Sequence, residues 1–164
     1  MVGIPGAGKT TASKLIAEIT GATHIWADHE RRIMWPEPGY TPEENETLYV
    51  RLNTKAEALL RGNHSVVYDT AFNHYQDRQK LREIAKRNNA EVIVIWVQAP
   101  KDIAKLRAQN VHEHSHTRVL GNMTDEHFGI LSEKLEEPKS DEKVVILDGT
   151  KLNEEYVRSI LSIT

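Results

Sequence analysis

Eight consecutive residues, Gly3-Ile4-Pro5-Gly6-Ala7-Gly8-Lys9-Thr10, match the pattern G-x-x-x-x-G-K-[ST] at every fixed position. No other feature constrains the fold as much. A loop of this kind hangs between a strand and a helix, where its backbone N–H groups turn inward around phosphate oxygens and the helix adds its positive end. Glycine supplies the backbone freedom for that turn. Lys9 is expected to reach the terminal phosphates of a nucleotide and the Thr10 hydroxyl to ligate magnesium. Gly3, Pro5, Gly6, Ala7, Gly8, Lys9, Thr10 and Thr11 are the expected nucleotide contacts. With glycine at about 7% of ordinary sequence, a chance match in a chain of this length is on the order of one in a hundred. The bland alternative is a flexible Gly-Pro turn that caps a helix.

The rest of the chain supplies the alternation such a loop requires. Short apolar runs rich in β-branched residues alternate with longer segments of helical period, the pattern of a parallel sheet covered by helices. Helices are predicted at 9–20, 43–61 and 75–88, from Asp102 onward, at 124–137, and after Gly149. Strands are predicted at 23–27, ending at Asp28; at 65–68, ending at Asp69; at 91–97; and at 143–147. Pro36, Pro38, Gly39 and Pro42 predict an irregular connection after Asp28. Only Met1 and Val2 precede the loop, so the first strand is expected as a stub. The fold expected is a three-layer α/β P-loop domain over residues 1–164, with a mainly parallel five-stranded sheet whose first strand is truncated. Residues 103–137 are the expected lid.

Composition narrows the partners. The net charge of −3 and pI near 6.2 lack the broad basic excess of a sequence-independent nucleic-acid binder. Its longest apolar run, 92–97, is far too short to cross a bilayer, and the N-terminus carries no export signal, so a cytoplasmic location is expected. The absence of cysteine excludes disulfides and thiolate catalysis.

Two carboxylates end predicted strands. Asp69 follows Ser65-Val66-Val67-Tyr68, the apolar run followed by aspartate whose carboxylate holds magnesium in P-loop enzymes. Asp28 is followed by Arg31 and Arg32 at the carboxyl edge of the sheet, where open α/β sheets bind ligands. Asp28 is a candidate acceptor of a proton from an attacking hydroxyl, and either arginine a candidate to position an anion on the acceptor. A turn aspartate and a solvated helix start with a local ion pair are the structural alternatives. Lys105, Arg107 and Arg118 offer lid charge, with helix-surface charge as the alternative. His112-Glu113-His114-Ser115-His116 formally satisfies the zinc-protease pattern H-E-x-x-H, but its neighbours are mediocre helix formers and no third ligand is evident. The segment is expected to be a solvated lid tip. Trp35, Tyr40 and Tyr49 could line an acceptor pocket or pack in the core.

With these residues in order, the chain resembles the P-loop kinases grouped around polynucleotide 5'-hydroxyl kinase, zeta toxins and chloramphenicol phosphotransferase, chains often labelled AAA-type ATP-binding proteins. The resemblance rests on the P-loop, Asp28 with Arg31, Leu59-Leu60-Arg61-Gly62, the segment from Ser65 to Thr70, Arg78, and Val94-Ile95-Trp96-Val97-Gln98-Ala99-Pro100. It implies that Asp28 is the general base, that Arg31 contacts the acceptor, that Asp69 organises the site, and that lid arginines follow the fourth strand. Relatives often carry two lid arginines four apart; here Lys105-Leu106-Arg107-Ala108-Gln109 leaves Arg107 and Arg118 as the candidates.

The function expected is Mg-ATP-dependent transfer of a phosphoryl group to a substrate hydroxyl. ATP, Mg2+ and an unidentified acceptor are the expected partners, a nucleic-acid 5' end among the candidates, with no membrane. An ATPase or nucleotide-dependent switch, or an inactive ATP-binding module, are the alternatives.

Overall fold

The computed structural model describes residues 1–110 and 123–162, over which parallel strands and helices alternate. In chain order the elements are α1 (Lys9–Thr20), β1 (Thr23–Trp26), α2 (Ala27–Met34), α3 (Pro42–Arg61), β2 (Val66–Asp69), α4 (Tyr75–Arg87), β3 (Val94–Gln98), α5 (Lys101–Gln109), α6 (Asp125–Glu133), β4 (Val144–Asp148) and α7 (Glu154–Leu161). β1 pairs with β2 in parallel, Thr23 opposite Val66, and β3 pairs with β4, Val94 opposite Val144.

The expected first strand is a stub that links the two pairs. Val2 donates its N–H to the Ile95 carbonyl at 2.8 Å and accepts from Val97 N–H at 2.9 Å, forming a single bridge to Trp96. On its other side Phe72 N–H donates to the Met1 carbonyl at 2.9 Å. Regular pairing therefore gives four strands among the described residues, and the fifth position is held by one bridge. A cavity of about 340 Å³ lies beside it, lined by Val2, Val67, Phe72, Ile93 and Ile95 among others.

Apolar alternation along the strands fixes what covers each face. Val67, Ile95, Val97, Val145 and Leu147 pack with Ala12 and Ile16 of α1 and Val157 of α7. Ile25 of β1 packs with Leu48, Leu52 and Ala56 of α3. Leu48 and Leu52 are fully buried, and each such side chain contributes about 1.5–3 kcal/mol through removal of apolar surface from water. A third cluster joins α5 to α6 through Ala104, Ala108 and Phe128, with Met123 beside them.

Helix ends follow their sequence signals. α1 runs between left-handed Gly8 and Gly21, α3 is capped by Thr41 with Pro42 in its first turn, and Asn153 caps α7. Arg78 and Glu142, both buried, form a two-point ion pair at 2.7 and 3.0 Å, and Arg78 Nη1 also donates to the Phe72 carbonyl. That pair ties the segment after β2 to the segment before β4.

Three boundaries differ from expectation. Residues 27–34, read as a strand end and an irregular connection, form α2. Nothing in Ala27 to Met34 breaks a helix, and it stops at Trp35 because the residue before Pro36 is pushed out of the helical region. Asp28 accordingly sits in a first helical turn rather than at a strand end. β3 begins at Val94, not Glu91, and α6 ends at Glu133 rather than at Glu137.

Candidate active site

The phosphate loop is a strained turn that only glycine tolerates at its tight points. Gly6 has φ of 75°, and a Cβ there would lie 2.0 Å from the Ala104 carbonyl oxygen of α5. Gly8 has φ of 106° and opens α1 without any capping side chain or acidic residue in the first turn. That first turn has neither a side-chain cap nor an acidic residue of its own, the kind of helix start that favours an anion. Lys9 Nζ lies folded over the loop and donates to the carbonyls of Gly3 and Ile4 at 2.7 and 2.9 Å. Asn73 clamps the base of the loop, accepting from Gly3 N–H at 3.1 Å and donating to the Gly3 carbonyl at 3.3 Å. Thr11 is exposed on the same first turn.

Asp69, the last residue of β2, is 3% exposed. The Thr10 hydroxyl donates to its Oδ1 at 3.5 Å, and His24 Nε2 lies 3.1 Å from Oδ2. Thr10 and Asp69 thus bring a hydroxyl and a carboxylate together beside the loop. Hard oxygen donors, few in number, suit magnesium, which keeps much of its water shell. Among the described residues no three His, Asp or Glu side chains converge into a fuller cage.

On the other side of the same edge lies α2. Burial raises the Asp28 carboxyl above the usual range, the nearby Asp69 charge raises it further, and Arg31, Arg32 and Lys9 work in the opposite direction. Arg31, 6% exposed, donates from Nη2 to Asn45 Oδ1 of α3 at 2.6 Å, and its guanidinium sits 4.8 Å from the centre of the Tyr40 ring. Among the described residues its Nε and Nη1, and the Tyr40 hydroxyl, are buried without a hydrogen-bond partner. Tyr40 itself has φ of 56°, held by Glu44, whose carboxylate accepts from Gly39 and Tyr40 N–H. Three unspent donors in one buried spot are costly unless an acceptor meets them.

The remaining candidates divide. Arg107 Nη1 donates to the Gly149 carbonyl at 2.8 Å, a turn that lies against the loop, since a Cβ on Gly149 would meet the Ala7 carbonyl oxygen. Lys105 pairs with Asp125 at 2.8 Å and joins α5 to α6. Trp35 and Tyr49 pack beside Ile25 and Leu48, and Tyr49 also bonds Thr70 at 3.1 Å. Arg118 and the H-E-x-x-H segment at 112–116 lie outside the described residues. Sequence reasoning missed Asn73, His24 and Asn45. No local signal marks them, because their contacts with Gly3, Asp69 and Arg31 are set by strand register and helix placement.

Residues 1–138 match the family described as AAA domain. An uncharacterised protein of Mycobacterium tuberculosis is 29% identical over 113 residues, which cover 62% of this chain and 23% of that protein. The chain thus spans about a quarter of the length of the curated relatives it matches. A sugar kinase from Janibacter superposes with a TM-score of 0.70 at 21% identity, covering 98% of this chain and 90% of the kinase. Kti12 of Chaetomium thermophilum, solved with ADP-AlF3, gives 0.72 at 18% identity over 99% of this chain and 94% of its own. The architecture is therefore the α/β P-loop fold of small kinases. No helix among the described residues is long and apolar enough to cross a membrane.

Proposed function

The chain belongs to the AAA-domain family, and from that premise we propose that it is a Mg-ATP-dependent kinase that moves the γ-phosphoryl group to a substrate hydroxyl. The observation that carries this reading is Asp28. A half-buried carboxylate whose pKa is raised by partial desolvation and by Asp69 stands on the sheet edge that presents the P-loop, beside a guanidinium with unspent donors.

In the proposed reaction the loop N–H groups and Lys9 hold the β- and γ-phosphates. Thr10 and Asp69 would hold the magnesium ion, which when bound neutralises phosphate charge. Asp28 takes the proton of the acceptor hydroxyl as its oxygen bonds to the γ-phosphorus and the bridge to ADP breaks. A carboxyl with a raised pKa is a stronger base once ionised, which suits that step. Arg31 receives an anionic group of the acceptor on Nε and Nη1, and with Asn45 fixes its distance from Asp28. Segment 103–137 acts as the lid.

Within the kinases the resemblance favours the polynucleotide 5'-hydroxyl kinase and zeta toxin group. A 5'-hydroxyl next to a phosphate would satisfy both Asp28 and Arg31. The test is transfer from γ-labelled ATP with Mg2+ to 5'-hydroxyl oligonucleotides, nucleosides, sugar nucleotides and aminoalcohol antibiotics, with Lys9→Ala as control. Lys9-dependent label on one acceptor class is the expected result; hydrolysis without any labelled acceptor overturns the kinase reading.

A further inference from the structure

Asp69 has two carboxylate oxygens and two different partners. Oδ1 faces the Thr10 hydroxyl, and Oδ2 faces His24 Nε2 at 3.1 Å. The register of β1 on β2 explains why they meet. His24 pairs with Val67, so it shares the sheet face of Val67 and lies diagonal to Asp69 two residues on. Val67 belongs to the cluster that packs on α1, which puts His24 on the α1 side as well, the side from which Thr10 reaches Asp69.

The imidazole is oriented from outside. Its ring stacks on Trp26 with centroids 6.0 Å apart and planes 8° from parallel, and Trp26 in turn stacks on His29 at 5.4 Å and 13°. Lys14 Nζ of α1 lies 4.9 Å from the centre of the Trp26 ring and closes the stack. A carboxylate can only accept, so the Nε2–H of His24 donates to Oδ2. With that oxygen occupied and the Asp69 side chain 4% exposed, rotation of the carboxylate costs a buried hydrogen bond.

We propose that His24 is a positioning residue for Asp69: its Nε2–H fixes one carboxylate oxygen so that the other stays aimed at Thr10 and the metal they share. This inference rests on the reading that Thr10 and Asp69 hold magnesium. Neighbours that orient a ligating carboxylate typically matter by 10- to 100-fold in metal affinity. His24 acts through Asp69 and touches neither nucleotide nor acceptor.

Two replacements separate the donor from the ring. His24→Phe keeps an aromatic ring against Trp26 and removes the N–H, whereas His24→Gln gives up the stack and keeps an amide N–H of similar reach. The measurement is Mn2+ binding to the ATP complex of the full chain by electron paramagnetic resonance, with ATP affinity in EDTA measured alongside. His24→Phe should weaken Mn2+ binding by roughly 10- to 100-fold with ATP affinity in EDTA unchanged, and His24→Gln should stay within a few-fold of wild type. Equal losses in both variants, or a parallel loss of ATP affinity in EDTA, assign His24 to packing and overturn the proposal. So does wild-type Mn2+ affinity in His24→Phe. A wild-type chain that binds ATP but takes up no Mn2+ removes the metal reading of Thr10 and Asp69, and the positioning role with it.

Discussion

The two sides of the sheet edge are built from different materials. Where phosphate is expected, the ligand-facing groups are main chain: a turn with three positive-φ glycines, Gly3, Gly6 and Gly8, and the bare first turn of α1. Where the acceptor is expected, they are side chains: Asp28 and Arg31 from α2, Tyr40 from the connection, and Asn45 from α3. A backbone cradle binds any nucleotide phosphate and tolerates drift in its surroundings, so long as the glycines keep the turn. A side-chain pocket is specific and depends on three separate segments arriving together. Only the second carries information about which molecule is phosphorylated.

The sharpest way to break this contrast is Lys9→Ala. Lys9 is the loop side chain that brings positive charge to the phosphates, and its loss should lower transfer from γ-labelled ATP by about a thousandfold, near the upper end for a single transition-state donor. If transfer survives at more than a tenth of wild type, the loop is not the reaction centre and the division into two sides fails.

Asp28→Asn comes next. Transfer should fall about a hundredfold or more while ATP affinity, measured by equilibrium titration, holds. The same substitution should raise thermal stability at neutral pH. The folded-state pKa of Asp28 is raised, so the stability it contributes is present below the ordinary aspartate pKa and is lost as pH rises through the raised value. Above that raised value the wild type carries an ionised, poorly solvated carboxylate near Asp69, which asparagine removes. The gain should shrink towards zero as the pH falls below the ordinary aspartate range, and an Asn variant no more stable at pH 7 than at pH 4, relative to wild type, contradicts the assignment. In wild type the acid limb of transfer should lie above the usual carboxylate range for the same reason.

How far each side could be read from sequence follows from the same contrast. The phosphate loop is legible because its geometry is local: glycines at fixed spacing, then Lys9, Thr10 and an apolar period that starts a helix. Asp69 is legible because an apolar run ending in aspartate needs no partner to be recognised. Asp28 and Arg31 are legible as a pair but their setting is not, since α2 is a short helix whose stop depends on Pro36 and whose start looks like the end of β1. Tyr40 bending back over Arg31, Asn45 reaching it across from α3, and His24 meeting Asp69 across two strands are contacts between distant segments. They exist only once register and helix docking are set, and no residue pattern announces them.

Arg31→Lys tests whether the acceptor side is as specific as its construction implies. Lysine keeps the charge but loses the planar fork, so the bond to Asn45 and the pair of open donors cannot both be reproduced. The KM for an anionic acceptor should rise roughly tenfold, the worth of one charge-assisted hydrogen bond, with ATP affinity and turnover near wild type. A change in ATP affinity instead would put Arg31 on the phosphate side.

Arg107→Gln carries the smallest expected effect and decides where the lid begins. Arg107 is spent on the Gly149 carbonyl, at a turn whose backbone abuts Ala7 of the loop, so in this arrangement it braces α5 against the phosphate side rather than facing a transferring group. Glutamine shortens the reach and drops the charge, and loss of one partly buried bond to a carbonyl costs about 1 kcal/mol. A brace predicts a small fall in melting temperature and a few-fold loss of transfer, with stability and activity moving together. A hundredfold loss of turnover at unchanged stability would mean that Arg107 leaves Gly149 when the nucleotide is bound and covers the γ-phosphate. The phosphate side would then owe part of its chemistry to a mobile side chain, and the contrast between a backbone cradle and a side-chain pocket would hold for binding but not for catalysis.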